Sequence, residues 1–592
     1  MDNFEFKLPI YYLKNKELTE NNIIEDLYLL DKKNTSNNLL LNETHMLDVS
    51  NIDLSNSLAT EPLYKYVFNP NIEFSNSTIY LWSIYYTSDV KYLKNTQKLI
   101  KNDKKFIINI EEQNKIYEIW DEIKNEKDFC KKYKFITTGV IQFLNNNSEF
   151  LQIMSIYNLS SPLLTLSLPI LLLIIPFFIL KFRKIQINLN TYLCLLKQVI
   201  SKHAVGQLLN INDMDFSKKI YVLFTISLYF IQIYQNINSC LEFYKNINKI
   251  KYETKLIKTY LQNTIININI LQNKCKKLKT YKKFMNNLNI KKNEILVIID
   301  NLKNFNNEKF NISDIINIGD IMKTYYNIYN NKTLHKTLLY TFGLNGYFDN
   351  LNELNNNISK NNISKCKFSK KYTNFKNAYF PNLINNNPIK NTYNLNEQML
   401  ITGPNAAGKT TLLKTTLFNI LISQQIGYGF YDKANIYPYQ ILHSYINLPD
   451  TSGRDSLFQL EAKRCKNILD IINNNKKKNY RHFCIFDELY SGTNPYEAIA
   501  SATSLLNYLN KNKNVYFMLT THFIGLCENL NNTQRFRNYH MKINKNKNDF
   551  EYTYKINKGI SKIKGGLKVL IDLKYPKDIL YNTYNIINNL II

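Results

Sequence analysis

Eight consecutive residues carry the clearest chemistry in the chain. Gly403-Pro404-Asn405-Ala406-Ala407-Gly408-Lys409-Thr410 fit the pattern G-x-x-x-x-G-K-[ST], and Met399-Leu400-Ile401-Thr402 before them read as a short apolar strand. Glycines at these two places let backbone N–H groups turn inward around phosphate oxygens. Lys409 brings a point charge to the β- and γ-phosphates, and the Thr410 hydroxyl suits Mg²⁺. Leu412, Leu413, Leu417 and Ile420 follow at helical spacing, so a helix N-terminus faces the anion. The strand, loop and helix together predict an ATP site with Mg²⁺ that includes Thr411.

About 80 residues on, an ordinary distance between two halves of one nucleotide site, Phe483-Cys484-Ile485-Phe486 read as a buried strand ending in Asp487-Glu488. A carboxylate at the carboxyl end of a parallel strand projects into the crevice where ligands bind. Asp487 is the candidate holder of Mg²⁺ through its water shell, and Glu488 the candidate base for an attacking water. A third strand, Val515–Thr520, leads to Thr521-His522, where the imidazole can reach a terminal phosphate. Between these motifs Ser456 and Gln459 form a capping box, S-x-x-Q, opening a helix. A free hydroxyl at that N-terminus can stabilise a phosphate held by another subunit.

Taken together, these residues resemble the ATPase of the MutS family. Ile401–Thr411 (ITGPNAAGKTT) is similar to that family's ITGPN-x-x-GKST loop, and Phe486–Asn494 (FDELYSGTN) to its LDE-x-x-x-GT segment. Thr520–Phe523 (TTHF) is similar to the ATH[YF] motif, and Gly453–Glu461 to the signature GxSTFxxE with one residue more. Tyr554–Gly566 (YKINKGISKIKGG) resembles the YKLxxGxSxxxxG tail. Asn385–Leu395 resembles the lead-in strand that flanks the adenine, which assigns Ile389 to the nucleotide. The resemblance implies an ATPase that pairs with itself or with a MutS-like relative and shares two composite ATP sites. Ser456 would then reach the partner's nucleotide, and Ser491, Gly492 and Thr493 would sit where subunits meet. It also implies middle helices that clamp duplex DNA through its phosphates, in mismatch repair or recombination-type DNA maintenance.

Three departures accompany it. Asp455 is the extra residue in the signature and sets a negative charge near the partner's γ-phosphate. No room is left for a mismatch-reading domain with a Phe-x-Glu wedge, so mismatch recognition is not implied. Two apolar stretches are foreign to the repair-type architecture; short MutS-like proteins, including those of large DNA viruses, are the better likeness.

The elements that must position these groups are mostly helical. Gly (15) and Pro (13) are scarce in 592 residues, which favours long helices over a turn-rich β fold. The expected fold class is multidomain: an α-helical core and lever region, then a C-terminal α/β P-loop domain of the ABC/MutS-like kind. Its expected divisions are a small N-terminal region (1–70), the helical region (71–367) and the ATPase domain with a helical tail (368–592). Ile257, Leu261 and Ile265, then Ile295, Ile298 and Leu302, mark long amphipathic helices.

The net charge of +28 suits a polyanion or an anionic membrane. An A/T-rich coding bias toward Asn, Lys, Ile and Tyr produces the same drift, so charge alone supports DNA weakly. Eight cysteines without CxxC pairs or nearby histidines read as free thiols in a reducing, intracellular compartment, and Met1–Glu20 lack the apolar core of a secretory signal. The uncharged stretches 161–180 and 220–240 read either as a membrane hairpin or as two buried core helices. Pro162, Pro169 and Pro176 are expected to interrupt the first. These stretches motivate a second functional class, a membrane-tethered P-loop mechanoenzyme without a direct DNA role.

Overall fold

Runs of β-branched and aromatic residues buried on both faces are what a parallel sheet requires. The computed structural model, which describes residues 5–31, 61–101, 104–183, 189–202, 215–302, 312–446, 457–531, 535–546, 549–561, 563 and 566–589, builds one from such runs. The early helices are α1 (Asn21–Asp26), α2 (Leu63–Phe68), α3 (Glu73–Ile84), α4 (Val90–Ile100), α5 (Ile110–Asn125) and α6 (Phe129–Lys132). Long helices follow: α7 (Ser148–Phe182), α8 (Leu189–Lys202), α9 (Phe216–Cys275), α10 (Lys282–Asn301), α11 (Ile318–Asn330) and α12 (Lys332–Ser359). The C-terminal part adds α13 (Lys409–Ile426), α14 (Leu457–Asn474), α15 (Pro495–Asn510), α16 (Ile524–Asn531), α17 (Gly566–Asp572) and α18 (Lys577–Asn589). Among the described residues the chain is thus rich in helix, with mixed sheets confined largely to its C-terminal part.

Contacts gather the chain into two compact units: residues 1–110, 266–292 and 339–592 in the first, and 111–265 with 293–338 in the second. In the second unit the amphipathic reading holds, with Ile257, Leu261, Ile295, Ile298 and Leu302 buried and Ile265 half-buried. The apolar stretches behave differently. The prolines do not interrupt the first: α7 runs unbroken through Pro162, Pro169 and Pro176. Nor is the second a buried core helix, because only 6 % of the apolar window of α9 is buried.

In the first unit, two-residue strands β1 (Glu17–Leu18) and β2 (Tyr85–Tyr86) pair near the N-terminus. A five-stranded sheet is ordered β5-β4-β8-β3-β7, with β3 Ser364–Phe368, β4 Asn374–Ala378, β5 Asn391–Asn394, β7 Tyr428–Gly429 and β8 Lys433–Ile436. The larger sheet is ordered β13-β12-β6-β11-β10-β9. Its strands are β6 (Gln398–Thr402), β9 (Ile441–Tyr445), β10 (His482–Asp487), β11 (Val515–Thr521), β12 (Phe536–Asn546) and β13 (Asp549–Lys558). All neighbours in it are parallel except the β12–β13 hairpin.

Helix α13 is buried on every side, and its buried residues include Thr415, Thr416, Asn419, Ser423, Gln424 and Gln425. Buried amides must find partners. Gln424 donates to the Tyr439 carbonyl (2.7 Å) and accepts from the Tyr439 N–H (2.8 Å). Gln425 donates to the Trp82 carbonyl (2.7 Å) and accepts from the Tyr64 hydroxyl (3.0 Å). Gln97 donates to the Gly427 carbonyl at 2.7 Å, and a Cβ at Gly427, whose φ is +77°, would stand 2.4 Å from the Gln97 Cγ. The N-terminal helices therefore complete the α/β core.

Edge strand β9 meets the same segment. Ser444 donates to Asp26 at 2.6 Å, while Arg464 donates to the Ser444 carbonyl at 2.8 Å. Beside it the His443 and His482 rings stack, with Nε2 and Nδ1 3.1 Å apart. Burial, aided by His443, pushes His482 down from its ordinary 6.5 to about 3. A depressed folded pKa contributes stability that is complete above 6.5 and is lost as pH falls toward 3. We expect urea unfolding to show about 2 kcal/mol of such loss between pH 7.5 and 5, and His482→Asn to flatten that slope. An unchanged slope in the variant would refute the assignment.

Candidate active site

Strands β6, β11 and β10 lie side by side and parallel, so their carboxyl ends open onto one crevice. Thr402 is level with Thr521, and Asp487 with Thr520. Topology thus brings together three motifs far apart in sequence.

After β6 the chain turns through residues 403–408. Gly408 has φ +91°, a left-handed value that favours glycine, and a Cβ there would stand 3.1 Å from the Tyr554 ring. Helix α13 then starts at Lys409 with no side chain capping its first turn, which leaves its backbone N–H groups facing the crevice. The Lys409 ammonium is almost fully buried and donates to the carbonyls of Gly403 (2.9 Å) and Pro404 (3.2 Å). Burial lowers its pKa, opposed by the charges of Glu488 and Asp487.

Thr410 donates to one oxygen of Asp487 at 2.7 Å, and Thr520 donates to the other. This cluster of hard oxygens suits Mg²⁺, which takes one or two carboxylates plus phosphates and waters. The described residues hold no cluster of three or more metal-binding His, Cys, Asp or Glu, and such an ion needs none. Uncapped amide donors, a buried cation and a hydroxyl–carboxylate pair form one donor set that fits Mg-ATP.

Glu488 follows β10 with φ +53°, an unusual conformation for a non-glycine residue. Its carboxylate lies 3.0 Å from the His522 Nε2 and 3.7 Å from the Lys409 Nζ. The His522 hydrogen bond, with the Lys409 charge, holds its pKa below the usual glutamate value. The same Nε2 is 2.9 Å from the Lys409 Nζ and 2.8 Å from the Asn405 Oδ1. Its proton therefore decides the network: protonated, it donates to Glu488 or Asn405; bare, it accepts from Lys409.

Loop 488–492 is fixed from outside the crevice. Buried Glu461 on α14 accepts from the Ser491 N–H (3.0 Å), the Ser491 hydroxyl (2.9 Å) and the Gly492 N–H (3.3 Å). A Cβ on Gly492 would meet Leu457 and the Phe458 nitrogen within 2.9 Å, so α14 and this loop touch backbone to side chain.

The structure gathers Pro404, Asn405, Ala406, Ala407, Gly408, Lys409, Thr410, Thr411, Ile389 and Glu488 around one cleft of about 560 Å³, in the range of small-ligand sites. Gly403 and His522 join them through Lys409, and Asp487 through Thr410. Ser456, with Asp455, lies outside the described residues. Sequence reasoning did not assign Tyr379, Leu383, Asn391, Met541 and Tyr554, which line the same cleft. Tyr554 (φ +54°) sits where β12 and β13 slip register, and Asn391 accepts from the Ile556 N–H while donating to the Tyr554 carbonyl at 2.9 Å. The tail motif pointed at this segment without singling out the ring.

The fold and site define a multidomain protein, rich in helix, with an α/β domain whose parallel strands converge on this loop. Residues 399–591 match the family model described as MutS domain V. The chain is similar to the DNA mismatch repair protein MutS of Orientia tsutsugamushi, 31% identical over 186 residues, which is 31% of this chain and 20% of the relative. It is likewise similar to the DNA mismatch repair protein MutS of Fusobacterium nucleatum (26% over 197 residues; 33% and 21%) and of Persephonella marina (26% over 189 residues; 32% and 21%). The match spans about a fifth of the length of these relatives. Residues 399–591 are thus a divergent MutS-type domain V, similar to these relatives at modest identity.

Proposed function

We propose that the chain is a Mg-dependent, P-loop ATP hydrolase that works inside the cell, as a dimer with itself or a MutS-like relative, on duplex DNA. The observation that carries this reading is the convergence of Lys409, the Thr410–Asp487 pair and the Glu488–His522 pair at the ends of three neighbouring strands. Bound Mg-ATP supplies the γ-phosphoryl group as electrophile and a divalent charge to neutralise its oxygens.

The residues divide the remaining work. Loop 403–408 and the first turn of α13 offer backbone donors to the phosphates, and Lys409 adds its charge. Thr410 and Asp487 would hold the ion. Glu488, kept ionised by its histidine partner, orients a water and takes its proton. His522, 3.0 Å from the base, would meet a terminal phosphate. Ile389 and Tyr554 give the cleft an apolar lining suited to a purine. Glu461 ties α14 to the loop carrying Ser491 and Gly492, so a partner meeting that loop is coupled to the base beside it. Ser456 is assigned to the partner's nucleotide on motif alone.

DNA is the proposed substrate surface because the net charge is +28 and the relatives are DNA mismatch repair proteins. The test is the ATPase rate with and without duplex, mismatched and branched DNA, at low and high salt. A rate changed by DNA, fading as salt rises, is expected, because phosphate contacts release counterions. A rate indifferent to every DNA at low salt would remove DNA from the proposal.

A further inference from the structure

We propose that α7 and α9 form a hairpin embedded in a lipid bilayer. The two helices pack antiparallel: Cys240 donates to the Leu159 carbonyl at 3.2 Å, Asn236 to the Thr165 hydroxyl at 2.7 Å, and Tyr229 to the Thr165 carbonyl at 3.0 Å. That register sets the uncharged stretch 161–180 of α7 level with the uncharged stretch 220–238 of α9. At 1.5 Å per residue, each is about 30 Å long, the thickness of a bilayer's hydrocarbon core.

The distribution of side chains is inverted relative to a soluble helix pair. On α7, Leu164, Leu166, Phe178 and Ile179 are exposed; on α9, so are Tyr221, Leu223, Phe224, Leu228, Phe230 and Ile237. At about 100° per residue these positions wrap more than half of each helix. Thr165, Tyr229 and Asn236 fall in the remaining arcs and bond one another between the helices. Polar groups facing inward and apolar groups facing outward are what a hydrocarbon solvent selects.

This pattern chooses the occupant. A protein partner or a second copy covers one face of a helix pair, whereas lipid covers every outward face at once. The ends fit the same solvent. Exposed Tyr157 and Tyr244 lie at the base of the hairpin, at the level of a headgroup belt. Gln232, Gln235 and Asn238 are confined to the part of the 220–238 stretch nearest the base. Lys181, Arg183 and Lys218 are exposed at the tip, where anionic phosphates of the far leaflet would meet them. None of these residues belongs to the cleft on which the proposed function rests.

The experiment uses the full chain, purified in detergent and reconstituted with vesicles of phosphatidylcholine and phosphatidylglycerol. It reads flotation in a density gradient after a wash in high salt and then in alkaline carbonate. The wild type should float through both washes. Leu166→Glu and Phe224→Glu, at exposed positions that the fold does not use, should each cut the floated fraction about tenfold or more with unchanged circular dichroism. Three results would overturn the proposal. One is a wild type left in the soluble fraction or released by salt. Another is glutamate variants that float undiminished. The third is a lipid-free soluble oligomer that the variants dissociate, which would assign the apolar faces to a second copy.

Discussion

Glu488→Gln is expected to keep Mg-ATP bound while losing hydrolysis by roughly three orders of magnitude, since a positioned general base contributes about 10²–10⁴. The amide preserves the shape of the side chain, so a hydrogen bond from His522 survives, but it cannot accept a proton. The binding groups, Lys409 and Thr410, touch other partners and remain in place. Single-turnover hydrolysis and equilibrium nucleotide binding, measured on the same preparation, separate the two effects. A variant that hydrolyses at the wild-type rate would move the base elsewhere. The nearest alternative is His522, which already contacts both Lys409 and Glu488.

Lys409→Ala is expected to abolish hydrolysis and weaken ATP binding by about 100-fold or more, the worth of a buried charge-assisted contact of about 3 kcal/mol. The ammonium now bonds the carbonyls of Gly403 and Pro404 and lies 3.7 Å from the Glu488 carboxylate. Removing it leaves two loop carbonyls and the base without their cation, so both the phosphate cradle and the ionised state of Glu488 lose support. Thermal unfolding of the variant measures how far the loop itself is weakened. Unchanged affinity and turnover would end the nucleotide reading of this cleft.

What could be read in advance follows from how local each determinant is. The loop 403–410 declares itself because one turn and one helix start are specified by contiguous residues, and strands β10 and β11 because their runs are uniformly apolar. Tyr554, Met541 and Asn391 escaped because they reach the cleft only through the pairing of β12 with β6 and a slip in the β12–β13 hairpin. The makeup of the first unit was equally hidden. Its N-terminal helices bind α13 through backbone carbonyls, such as those of Trp82 and Tyr85, which any sequence presents. The prolines of α7 misled for a related reason: their cost is computed for a helix whose lost bonds cannot be repaired, and this helix continues through all three.

The segment shared with relatives and the segment that folds are not the same thing. Cutting the chain just before residue 399 would keep every catalytic candidate, yet it would strip Gln425 of Tyr64, Trp82 and Tyr85, and Gln424 of Thr87. The cut would open that face of α13 to water, and the hydrogen bonds lost by the two amides alone are worth about 1–3 kcal/mol in sum, a sizeable part of a domain's stability of roughly 5–15 kcal/mol. Inheritance has drawn its boundary along the sequence; the physics of α13 draws another, through residues that no family pattern marks.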